Sequence, residues 1–125
     1  MKSIVGIDIG TSKISVAVYN GSKFSMIGDL RGGNTFPAIV SSDKKGQLLF
    51  GEKARKVLTT NADHAVFHFL RYMHLDLGKP KVKSCVDHYQ FPLRQSLRSG
   101  KVEAEISRER WVTLEYLLVR YLEFI

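Results

Sequence analysis

Seven residues near the start of the chain, Ile7-Asp8-Ile9-Gly10-Thr11-Ser12-Lys13, bring together the group types that could hold a phosphate. Asp8 sits near the end of an apolar run, where an unpaired carboxylate is costly. Mg²⁺ would satisfy it through the metal's water shell, because that ion prefers oxygen ligands and keeps several waters. Gly10 allows backbone to approach a phosphate closely, and successive amides with the Thr11 and Ser12 hydroxyls can donate to its oxygens. Lys13 can add a point charge or simply sit in solvent. As a bare pattern, the seven residues suit a phosphate-holding hairpin and an ordinary tight turn equally well.

The elements that must position this turn are legible on either side of it. Ile4 to Ile9 is nearly all apolar and β-branched, which predicts a strand covered on both faces. Ile14 to Tyr19 predicts a second strand, Asn20-Gly21-Ser22 a hairpin turn, and Lys23 to Ile27 a third strand. After a loop at Gly32 to Pro37, short strands are expected at Ala38 to Ser41 and Gln47 to Phe50, joined by a turn at Asp43-Lys44-Lys45-Gly46. A short helix over 52–58 would bury Ala54, Val57 and Leu58. Val66, Phe67, Leu70 and Met73 have a helix-compatible spacing, and 75–106 reads as loop and short strands with turns at Gly78-Lys79-Pro80 and Ser99-Gly100.

The last segment predicts a helix over 107–125, with Ser107 as N-cap and Glu109 in its first turn. Trp111, Leu114, Leu118, Tyr121, Leu122 and Ile125 form one stripe, and Val112, Tyr116, Leu117, Val119 and Phe124 fill much of the remaining circumference. A helix apolar nearly all round calls for cover, either from the rest of a longer chain or from a partner, a second copy included.

Length and composition bound the answer. The chain has 125 residues, 44% apolar and 25% charged, which suits one globular domain that needs no disulfide or metal to fold. The single Cys85 cannot form an internal bridge, so a reducing, cytoplasmic setting is expected. No apolar run is long enough to span a membrane. The net charge of +7 is spread thinly, and its one dense patch, Lys79-Pro80-Lys81-Val82-Lys83, lacks neighbouring aromatic stacking residues. That patch predicts lysines on the solvent face of an exposed strand and argues against a nucleic-acid groove.

The run Val5-Gly6-Ile7-Asp8-Ile9-Gly10-Thr11-Ser12, followed by strand, turn and strand, resembles the first phosphate loop of the actin-like ATPase superfamily. Gly33-Asn34-Thr35-Phe36-Pro37-Ala38-Ile39-Val40, Phe50-Gly51-Glu52-Lys53-Ala54 and Asn61 through Val66-Phe67 to Arg71 narrow it. Together they resemble the start of the ATPase domain of a DnaK-type (seventy-kilodalton) heat-shock chaperone, closely over 4–73 and loosely over 74–125. The resemblance implies an α/β fold: a mixed sheet of about five strands in a ribonuclease-H-like lobe with an inserted small subdomain. Residues 1–37 would form the core sheet, 38–106 the accessory subdomain and 107–125 a helix returning to the core.

By the same resemblance ATP or ADP with Mg²⁺ would be the ligand, held by Asp8, Gly10, Thr11, Ser12 and Lys13, with Asp8 reaching the metal through water. The family also implies stress response and protein clients. Two departures stand out. Leu70 occupies the place of a lysine implicated in orienting the attacking water or touching the γ-phosphate, beside Arg71, and leucine supplies no charge to a phosphoryl transition state. The family's chain runs on for several hundred residues, so this one corresponds to the first part of one lobe and carries half of a phosphate clamp. His64 and His68 are candidate acid–base groups, although lone histidines in such a segment serve more often at the surface or in packing. The alternative is a non-catalytic, chaperone-like module that pairs through the 107–125 helix.

Overall fold

The computed structural model describes residues 2–29, 32–86 and 91–125, the side chain of Cys85 excepted. Among the described residues three small sheets and three α-helices make an α/β fold, and every strand pairing there is antiparallel rather than mixed. The first sheet centres on β2 (Lys13–Tyr19), which pairs along its length with β1 (Ile4–Ile9), from Ile4 opposite Tyr19 to Ile9 opposite Ile14. Its other edge takes β3 (Phe24–Ile27) and then β4 (Phe36–Pro37). The Asn20-Gly21-Ser22 turn forms as expected: Asn20 Oδ1 accepts from the amides of Ser22 and Lys23, and Gly21 adopts φ 95°.

In the second sheet β5 (Ile39–Ser42) lies between β6 (Leu48–Phe50) and β7 (Val66–Phe67), so that Val40 meets both Phe50 and Val66. The third orders β8 (Leu93–Gln95), β9 (Val102–Ser107) and β10 (Arg110–Thr113) around β9, whose Val102, Ala104 and Ile106 alternate into the core. Helix α1 (Gly51–Val57) packs on β5, α2 is Pro80–Val86, and α3 is Leu114–Phe124.

Four expectations are corrected. All six residues of β1 are exposed, although the strand was expected to be covered on both faces. It is an edge strand, and the packing layer that buries Ile14 and Val16 of β2 leaves Ile7 45% exposed on the same face. Residues 65–73 are not a helix, because His68 turns left-handed (φ 53°) between β7 and a single 3₁₀ turn, Phe69–Arg71. The Lys79–Lys83 patch opens a helix rather than a strand. Pro80 at its first position has the right φ and needs no N–H partner, and Val82 and Val86 recur at helical spacing. Residues 87–90 of the 75–106 range lie outside the described residues. Finally, the last helix starts at Leu114 rather than 107. Residues 107–113 contain β10 and its turn, and Thr113 is the N-cap, its side chain accepting from the Tyr116 amide at 3.2 Å.

One contact knits these parts together. The N-cap of α1 is Phe50, which has no capping group, and the missing acceptor arrives from Asp29, whose Oδ2 takes the Glu52 amide at 2.7 Å. Gly51 stands at φ 59° directly beneath that carboxylate. Tyr121 of α3 reaches the same place and donates its hydroxyl to the Pro37 carbonyl at 2.6 Å. Burial foremost, and then the Asp29 and Glu52 carboxylates, raise the Tyr121 phenol well above its ordinary pKa.

A Cβ at Gly51 would lie 2.5 Å from Asp29 Oδ2 and 3.2 Å from the Tyr121 hydroxyl, on a backbone that already disfavours L side chains. Gly51→Ala is expected to cost about 3 kcal/mol in urea unfolding. A phenol kept neutral when folded but free to ionise when unfolded leaves stability intact below about pH 10 and lowers it above. The melting temperature of the wild type should therefore fall more steeply between about pH 9.5 and 11 than that of Tyr121→Phe.

Candidate functional site

The turn between β1 and β2 gathers most of the residues singled out by type and spacing. Gly10 donates its amide to the Lys13 carbonyl at 3.0 Å, which closes the turn. The Ser12 carbonyl accepts from the Ala38 amide at 2.9 Å, so the chain after β4 is laced to the turn. The Thr11 carbonyl accepts from His68 Nδ1 at 3.1 Å, across 57 residues of sequence. Three successive carbonyls are thus drawn back into the protein. Among the described residues no acceptor is found for the amides of Thr11 and Ser12. Successive amides left in this way form the kind of concavity that binds anions.

Gly10 is required by space rather than by dihedral angle. A Cβ there would stand 2.7 Å from the Lys13 carbonyl oxygen, a backbone atom that cannot move without opening the turn. Ser12 and Lys13 are exposed, and Thr11 is half-buried. Ser12 lines a hollow of about 470 Å³ with Pro37, Ala38, Arg55, Phe67 and His68. On its other side, with Lys13, Asp29, Thr35, Glu52 and Arg55, it borders a second hollow of about 270 Å³.

Asp8 is exposed and stands opposite Ser15 in the ladder. It lies on another hollow, lined by Gly6, Ile7, Ser15, Ala17 and Met26, two residues before the turn. His64 is not brought to the turn, its Nδ1 instead meeting Asn61 Oδ1 at 3.3 Å. Leu70 packs half-buried against the core, while the neighbouring Arg71 is exposed. Among the described residues no three His, Cys, Asp or Glu side chains are grouped closely enough to bind a metal ion directly.

A family model described as Hsp70 protein matches residues 4–116, which spans the turn, all three sheets and the start of α3. The chain belongs to the Hsp70 family. Hsp70 proteins are ATP-binding heat-shock chaperones, and the several antiparallel sheets with few helices fit a partial actin-like ATPase lobe. No described helix of this Hsp70 chain is long and apolar enough to cross a membrane.

His68 is the residue whose place at the turn was not read from the sequence. A histidine after Val66-Phe67 announces neither a left-handed backbone nor a partner 57 residues away. Arg55 is the other addition, brought to both hollows by α1. The turn geometry predicts that Gly10→Ala will cost roughly 2 kcal/mol, because the carbonyl it meets belongs to backbone. Hydrogen exchange should then show the Gly10–Lys13 bond opened first, with the amides of β5 still protected.

Proposed function

We propose that this chain binds ATP or ADP with Mg²⁺ through residues 8–13 and supplies half of the phosphate clamp of a chaperone ATPase. The observation that carries this reading is the polarity of the 10–13 turn: the carbonyls of Thr11, Ser12 and Lys13 are tied back, and the amides of Thr11 and Ser12 are left for an anion. Both hydroxyls stand beside those amides, and Lys13 adds an exposed positive charge. The exposed Asp8 carboxylate suits Mg²⁺ held through its water shell, since one carboxylate cannot fill the metal's coordination alone. Bound there, the metal would neutralise charge on the terminal phosphates.

Leu70 leaves an apolar side chain where the family resemblance places a lysine, so hydrolysis by this chain alone is expected to be slow. The hollows are open, and affinity needs further cover from the remainder of an ATPase domain, from a partner or from a second copy. The partition into 1–37, 38–106 and 107–125, protein clients, a stress-response role and a cytoplasmic location belong to the same reading.

A second reading, a non-catalytic module that pairs through exposed apolar surface, draws on Tyr116, Val119 and Phe124 of α3. The larger uncovered surface is on the first sheet, where Ile4, Val5, Phe24 and Met26 are exposed. The two readings part in a calorimetric titration of the chain with ATP and magnesium. Micromolar binding that weakens at least about tenfold in Asp8→Ala supports the first. No binding, with a sedimentation mass above the monomer that Val119→Asp reduces, would sink the first and establish the second.

A further inference from the structure

We propose that His68 is a positioning residue for the phosphate turn, dictating which protons of the turn are offered to an anion. The inference rests on the nucleotide reading above and adds to it a residue outside the 8–13 segment.

His68 is one of two described non-glycine residues with positive φ, at φ 53° and ψ 25°. Such a backbone is strained for an L side chain and persists only where its surroundings enforce it. Here Val66 and Phe67 are paired with β5 on one side, and Phe69 is fully buried on the other. The left-handed step reverses the chain between these anchors and carries the imidazole to the β1–β2 turn, with the Phe67 ring edge-on at 5.3 Å.

The hydrogen bonds then fix the proton positions. The acceptor 3.1 Å from Nδ1 is the Thr11 carbonyl, which cannot donate, so Nδ1 carries the hydrogen. A protonated Nδ1 has no lone pair. The Ser12 hydroxyl, 3.4 Å from the same atom, therefore cannot donate to it. Its oxygen takes the longer arm of a shared hydrogen bond, and its proton must point elsewhere. Ser12 is exposed and lines the 470 Å³ hollow with His68, so that proton is available to a ligand oxygen.

His68 thus does two things at once. It holds the Thr11 carbonyl away from an incoming anion, and it makes Ser12 a donor. The other two carbonyl ties, to the amides of Gly10 and Ala38, are backbone and survive side-chain substitution. The His68 tie is the one a substitution can remove.

Two substitutions separate this role from a merely structural one. His68→Gly relieves the left-handed strain but deletes the donor, whereas His68→Asn tolerates that backbone and restores an N–H near the position of Nδ1. Mg-ATP binding by the full chain should weaken about tenfold in His68→Gly, with no fall in melting temperature, and recover to within about threefold of wild type in His68→Asn. In the wild type, ¹⁵N spectra of the imidazole should show the hydrogen on Nδ1. Wild-type affinity in His68→Gly, no recovery in His68→Asn, or the hydrogen on Nε2 instead would each overturn the role of His68 while leaving the nucleotide reading intact. A wild-type chain that fails to bind Mg-ATP would overturn the nucleotide reading, and this role with it.

Discussion

The organisation of the molecule depends on the acceptor that Asp29 supplies to the start of α1. The helix begins after Phe50, a residue with no capping group, and a buried helix start without an acceptor is unfavourable. Asp29 satisfies it from the loop after β3, and the close approach this needs is open only to glycine at position 51. Tyr121 closes the arrangement from α3 and ties it to the Pro37 carbonyl of β4. The first sheet, the helix on the second sheet and the last helix therefore share one polar junction. Around it Phe50, Tyr121 and Phe124 pack at ring distances of 5.2 to 5.9 Å, which excludes water and strengthens each hydrogen bond.

That junction matters to the phosphate turn because β4 is shared. Pro37 lies opposite Lys13, and the Ala38 amide holds the Ser12 carbonyl. The second sheet contributes through β7, which His68 follows, and the His68 ring takes the Thr11 carbonyl. A turn with its carbonyls held from two sides has lost most of its freedom before any ligand arrives, so little ordering remains to oppose binding. Leu70 completes the picture from the same 3₁₀ turn. Its side chain serves the core and gives the turn stability without charge.

The uncovered apolar residues of the first sheet express a different constraint. Ile14 and Val16 are buried by this chain's own elements, while Val5 and Ile7 on the same face and Phe24 and Met26 on the other remain in water. A β-branched run records the surroundings a strand is suited to, and only packing decides whether those surroundings are present. β1 shows the gap between the two. Its strand character is as expected, but its burial is not.

What the residues settled by themselves is what short-range chemistry can settle. Asn20 caps its own hairpin through Oδ1, Asp43 accepts from the amides of Lys45 and Gln47 in the turn before β6, and Gly10-Thr11-Ser12 folds as the turn its composition implies. In each case donor and acceptor are at most a few residues apart, so the sequence contains the whole interaction. The α3 stripe was legible in part: Leu114 and Tyr121 are buried as expected, but Leu117, read as lying off the stripe, is buried with them while Leu118 is only half-buried, and the start was displaced because Thr113 caps better than Ser107 once β10 pairs with β9. Tertiary structure decided the rest. The cap on α1 comes from 23 residues upstream, the clasp on the Thr11 carbonyl from 57 residues away, and the anchor of Tyr121 on Pro37 from 84. The left-handed turn at His68 belongs with them, since a strained backbone is held by neighbours on both sides and by a partner in the β1–β2 turn. No local pattern encodes such contacts, because each exists only when the sheets have already met.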